Sequence, residues 1–94
     1  MYFEWDEGKE QRNRLKHRVS FPEARSVFFD ENAFEAFDPD HSVEEERFLM
    51  LGLSAEMRVL VVSYCFRLED SVIRIISARK ATRGEQRFYR GLTA

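Results

Sequence analysis

The chain has 94 residues and one Cys, with 15 Lys and Arg against 17 Asp and Glu for a formal net charge of -2. That length allows one domain, residues 1–94, with a small core that nine Phe, three Tyr and one Trp are suited to fill. The charge excludes a polycation that binds nucleic acid over its whole surface, the lone Cys65 excludes an internal disulfide, and no stretch nears the ~20 apolar residues of a membrane span.

In chain order, "YFEW" (2–5) alternates Phe3 and Trp5 against Tyr2 and Glu4, as a short strand does. Asp6 is placed to N-cap a helix through residues 7–18. Leu15 is almost the only large apolar residue of that helix, so most of its surface is expected to face water or a partner. Lys9, Arg12 and Lys16 make a basic stripe along it, with Asn13 and His17 on the adjacent face. Ser20-x-x-Glu23 is a capping box with Val19 and Ala24 at the staple positions and Pro22 in the first turn. Ala24, Val27 and Phe28 should seat this second helix on the core, ending near Asp30. Residues 30–46 carry eight acids and no base, the pattern of a solvated loop region. Within it, "AFEAFD" (33–38) reads as a strand stopped by Pro39, and His41 beside Asp38 and Asp40 lacks a second cluster to hold a metal.

Strands are predicted over 46–53, 57–66 and 71–78, joined by the short turns "SAE" and "RLED". The 57–66 strand is apolar on both faces, with Met57, Val59, Val61 and Cys65 on one and Leu60, Val62, Tyr64 and Phe66 on the other, so it should be central. Thr82-x-x-Glu85 is a second capping box, opening a short helix that Gly91 closes. The order is βααββββα: an α+β domain with a mainly antiparallel sheet of four to five strands, two N-terminal helices on one face and a short C-terminal helix.

No phosphate loop, CxxC pair, HExxH or nucleophile elbow is present, and Cys65 in "VLVVSYCF" reads as a small buried hydrophobe. What remains is cationic. Residues 47–94 carry nine bases against four acids. Arg74 among isoleucines needs an anion, either an internal carboxylate such as Glu45 or Glu46 or a ligand. Arg58 and Tyr64 share a strand face, whereas Arg74 and Arg79 have opposite parity and would share a site only through a bend near Ser77–Ala78. Metal-free RNA cleavage is chemistry such residues can perform. The 2′-OH attacks the adjacent phosphate, cations neutralise the developing charge, and a His, Lys, Glu or Tyr moves protons. Lys16, His17, Glu46, Arg58, Tyr64, Arg74 and Arg79 are the set available, while solvated surface is the plainer reading of Lys80, Arg83 and Arg90.

The blocks "FEWDEGKEQRNRLKH", "VSFPEA", "EERFLMLG", "RVLVVSY" and "IRIISARKATRGEQRFY" together resemble the BrnT family of toxins from bacterial type II toxin–antitoxin systems, from Phe3 to Tyr89. The resemblance implies a RelE-like fold and a metal-independent, cofactor-free endoribonuclease that arrests growth in the cytoplasm. It implies neutralisation by a BrnA-like antitoxin, in a heterotetramer of two toxins and two antitoxins that touches operator DNA only through the antitoxin. The family positions carry over as Trp5, Lys16, His17, Glu46, Arg58, Arg74 and Arg79. The expected catalytic set is Lys16, His17, Glu46, Arg58, Arg74 and Arg79, with Trp5, Arg12, Tyr64 and Lys80 against the RNA. In that reading Arg74 and Arg79 hold the phosphate, and one of Lys16 and His17, about 100° apart on a helix, faces the site. The rival is a catalytically weak relative that serves as an antitoxin-binding co-repressor. Arg18 stands where the family usually has Gly, a position that closes a helix with positive φ.

Overall fold

The structure, a computed structural model, describes residues 1–93. The first strand, β1 (Tyr2–Glu4), hands over to α1 (Glu7–His17) at Asp6, whose carboxylate accepts the Lys9 N–H at 2.8 Å. At its other end α1 is closed by Arg18 in the left-handed region (φ 59°), donating its N–H to the Arg14 carbonyl. α2 (Phe21–Ser26) starts at Ser20, whose hydroxyl accepts the Glu23 N–H, and tightens into a 3-10 turn over Val27–Phe29. There follow β2 (Phe34–Phe37), a 3-10 turn at Pro39–His41, β3 (Phe48–Leu53), β4 (Val59–Arg67), β5 (Val72–Lys80) and α3 (Arg83–Thr93). The βααββββα order is as expected. The sheet order is β1-β5-β4-β3-β2, antiparallel except for β1 alongside β5.

β4 is central and covered on both faces, as its composition requires. On one side Leu60, Val62 and Tyr64 pack with Ile73, Ile75 and Ala78 under Val19, Phe21, Ala24 and Val27 from the α1–α2 region. On the other, Val61 and Leu51 meet Ala81 and Tyr89 at α3. Met57, expected within the strand, instead lies in the β3–β4 turn at φ 63° and is exposed.

α1 docks through polar side chains. It buries only Glu10 and Asn13. β1 stops beside Arg74, leaving the outer edge of β5 bare beyond it. There the Asn13 amide receives the Ala78 N–H at 3.1 Å and donates to the Ala78 and Val19 carbonyls, each at 2.9 Å, as a strand neighbour would. Glu10 accepts the Phe21 N–H at 3.3 Å and the Arg14 Nε–H at 3.0 Å.

Other expectations are corrected. Gly91 does not close α3, which continues to Thr93, because Gly91 does not take the positive φ of a glycine cap. The acidic segment is not simply solvated: Asp30 accepts the Leu53 N–H at 2.8 Å and the Tyr89 hydroxyl at 2.6 Å, and Glu35 accepts the Tyr64 hydroxyl. Arg74 is partnered by Glu4 of the neighbouring β1, not by Glu45 or Glu46. The bend near Ser77 on which a shared face for Arg74 and Arg79 depended is present, as a bulge in β5. Ser77 pairs with Ser63 and Ile75 with Tyr64, so Ile76 is the extra residue and the alternation resets. Ile73, Ile75 and Ala78 therefore all face the N-terminal helices, and Arg74 and Arg79 share the opposite face.

Candidate active site

Arg58, just before β4, is the best-held cation of the expected set. Its guanidinium forks onto the Glu23 carboxylate, with Nε–H to Oε2 at 2.9 Å and Nη2–H to Oε1, and Nη2 also donates to the Arg18 carbonyl at 3.0 Å. Glu23 is buried and accepts the Ser54 hydroxyl at 2.7 Å. Burial alone would raise the Glu23 carboxyl, but the hydrogen bonds from Arg58 and Ser54 and the Arg58 charge outweigh it and hold the pKa below the usual value. Glu23 in turn raises Arg58. The Arg18 contact places the end of α1, with Lys16 and His17, at the corner Arg58 occupies.

Beside Arg58 the sheet ends in an open groove of about 390 Å³. Arg58 and Lys80 line it from the sheet, Met57 from the turn, and Gln86, Tyr89 and Arg90 from α3. Arg58 Nη1 makes no hydrogen bond among the described residues, and Lys80 has no acidic partner within 4 Å among them. Arg90, expected as solvated surface, lines the groove together with Gln86 and Tyr89, which the sequence did not mark as functional although the i, i+3, i+4 spacing of the three behind the Thr82–Glu85 box defines one face of a helix.

Arg79 lies next to the groove on the other face of β5. Its guanidinium is held by both Glu85 oxygens, at 2.8 and 3.0 Å, and Glu85 completes the capping box by accepting the Thr82 N–H at 2.8 Å. The Arg79 fork is the main cause that pulls the Glu85 pKa down to about 2. Arg74 is further along the same face, paired to Glu4.

The remaining expected residues are dispersed. Trp5 packs edge-on against Phe21, ring centroids 6.0 Å apart, at the core's margin. Arg12 is exposed on α1. Tyr64 is fully buried on the helix-covered face and bonded to Glu35, with burial first and that carboxylate second raising its pKa. Glu46 lies at the opposite end of the sheet, in a hollow with Glu45, Phe48, Phe66 and Asp70. Arg58, Lys80, Arg79 and the end of α1 are thus gathered around one end of β5; Arg74 stands apart, and Glu46, Tyr64 and Trp5 are not with them. Cys65 is buried, and burial raises its thiol pKa, so it is a structural residue. Among the described residues no group of three His, Cys, Asp or Glu side chains is gathered closely enough to hold a metal ion.

Residues 5–85 match the family described as "Ribonuclease toxin, BrnT, of type II toxin-antitoxin system". Among solved structures, the chain is similar to the 1.1 Å crystal structure of the Brucella abortus ribonuclease toxin BrnT, with a TM-score of 0.64 and 22% identity. The alignment covers 88% of this chain and 99% of that one, and at this identity the likeness is one of fold. No curated protein matches the sequence.

Proposed function

This chain belongs to the BrnT family of ribonuclease toxins of type II toxin–antitoxin systems, and on that premise we propose that it cleaves RNA without a metal ion, in the groove lined by Arg58, Lys80 and Arg90. The observation that carries this reading is the convergence of those cations at one end of the sheet, with Arg58 already oriented by Glu23. A phosphodiester lying there meets Nη1 of Arg58 and the Lys80 ammonium. In the reaction the RNA's own 2′-oxygen forms a bond to phosphorus and the P–O5′ bond breaks. The 2′-OH proton passes to a base, and the departing 5′-oxygen takes a proton from an acid. The cations carry the charge that builds on the non-bridging oxygens, the part a metal would otherwise take. Lys16 and His17, on the helix end joined to Arg58 through the Arg18 carbonyl, are the proton-transfer candidates, and Arg79, one residue from Lys80 and held by Glu85, adds positive charge beside the groove.

The reading extends to a BrnA-like antitoxin that neutralises the toxin in a two-plus-two heterotetramer and supplies the DNA contacts, and to the cytoplasm as the place where the pair acts. One observation favours a second reading. Arg58, Arg74 and Arg79 are each neutralised by an acid of the chain itself. A weak enzyme whose main role is to pair with the antitoxin as co-repressor would look the same.

The test is incubation of partner-free protein with total RNA in EDTA, beside a Lys80→Ala/Arg90→Ala double variant. Both residues are exposed, so the melting temperature should stay within a degree or two. Cleavage by the parent that falls at least tenfold in the variant supports the groove. Undiminished cleavage in the variant moves the site elsewhere, and no cleavage by the folded parent favours the co-repressor.

A further inference from the structure

Away from the cationic groove, on the helix-covered face, Phe3, Phe28, Phe29 and Phe66 wall an apolar hollow of about 430 Å³ with Glu35 and Tyr64 among its lining. Phe66 also lines the neighbouring hollow, of about 410 Å³, whose polar lining is Glu45, Glu46 and Asp70. The two hollows adjoin across Phe66 and are taken together as a trough, apolar on one side and acidic on the other, with no Lys or Arg lining either part. Arg25 stacks over the Phe3 ring, 5.3 Å from its centroid, without lining the trough.

The walls are already fixed. Phe3 meets Phe28 at 5.2 Å, Phe28 meets Tyr64 at 4.9 Å, and Tyr64 meets Phe66 at 5.6 Å, all edge-on. Yet Phe29 remains 69% exposed and Met1 75% exposed at the mouth. A small domain has little reason to hold ordered aromatic surface open to water unless something covers it.

We propose that this trough is the docking site of a segment of the antitoxin that carries a bulky apolar side chain followed by Lys or Arg. The apolar side chain enters between Phe29 and Phe66, and the cation reaches Glu46 and Asp70. Charge selects the occupant: Glu35 is held by the Tyr64 hydroxyl and Glu45 is paired with Arg47 at 3.5 Å, but Glu46 and Asp70 have no cationic partner within 4 Å among the described residues, so an RNA backbone is repelled there while a Lys or Arg meets opposite charge. The proposal rests on the antitoxin partnership above. It also gives Glu46 and Glu35 a place in partner recognition rather than in cleavage, and it leaves the cationic groove open to RNA until the antitoxin's remaining length covers it.

The experiment is calorimetric titration of the full-length toxin with its full-length antitoxin, using Phe29→Ala and Asp70→Asn variants. Asn tolerates the left-handed φ of 67° at residue 70. The expected result is at least tenfold weaker binding for F29A and a few-fold weakening with reduced salt dependence for D70N. RNA cleavage by the free variants and their melting temperatures should match the parent. Equal binding of parent and variants overturns the trough while leaving the antitoxin partnership intact. No binding by the parent overturns both. Concentration-dependent self-association of the free parent, abolished by F29A, also overturns the proposal, because a second copy is then the occupant; its α3 carries exposed Phe88 and Leu92 among arginines.

Discussion

Asn13 shows how much one side chain decides here. It substitutes for a missing strand along β5, so Asn13→Ala leaves the Ala78 N–H and two carbonyls buried without partners. Each unmet buried group costs about 1–3 kcal/mol, and with partial relaxation the variant should lose roughly 3 kcal/mol in urea unfolding. Glu85 acts through charge. Its folded pKa of about 2 lies below the ordinary glutamate value of 4.5, so the fold favours the ionised form. That stability is present above pH 4.5 and is lost as pH falls toward 2. The melting temperature of the parent should therefore drop more steeply over this window than that of Glu85→Gln, and the difference between them should shrink with acidification. Both partners are partly exposed, so the effect is a modest shift.

At the scale of elements, several junctions use left-handed backbone without glycine. Arg18 closes α1 at φ 59°, and the β4–β5 hairpin passes through Leu68, Glu69 and Asp70 at 51°, 54° and 67°. Gly has no Cβ to crowd in this region, so Arg18→Gly and Glu69→Gly should each raise stability by about 0.5–1 kcal/mol in chemical denaturation, offset in part by the greater freedom of the unfolded chain. Arg18→Gly should also leave the bond to Arg58 intact, since it comes from the backbone carbonyl.

The elements were largely legible because their signals are local. Asp6, Ser20 and Thr82 announce helix starts, and the two apolar faces of residues 59–66 announce a central strand. The bulge at Ile76 left no such mark, and strict alternation without it puts Arg74 and Arg79 on opposite faces. The partners of the arginines divide the same way. Glu85 was within reach as the capping-box acid, but Glu23 and Glu4 lie 35 and 70 residues from the arginines they hold, so only the assembled sheet reveals them. α3's groove face is readable from spacing, but its one cation, Arg90, has the same sequence context as ordinary solvated surface.

The whole molecule has two poles. The groove at one end of the sheet gathers Arg58, Lys80 and Arg90, while the other end gathers Glu45, Glu46 and Asp70. Net charge conceals this, and substrate binding should depend on the local field. With three phosphate contacts to single-stranded RNA, raising salt from roughly 50 to 200 mM should increase the KM for RNA on the order of tenfold, with kcat little changed. Steady-state cleavage of a short oligonucleotide across that range measures it.

β1 lies along β5, Glu4 reaches Arg74, and Asn13 reaches Ala78, so the first residues of the chain are completed by almost the last. During synthesis the N-terminal third waits for Val72–Lys80 to emerge before its strand and helix have anything to close against. A nascent or prematurely ended chain thus lacks the β5 end where Lys80 and the α3 residues form the cationic groove. The strand that completes the N-terminal elements is thus the same strand that sets one wall of the groove, so neither forms without the other.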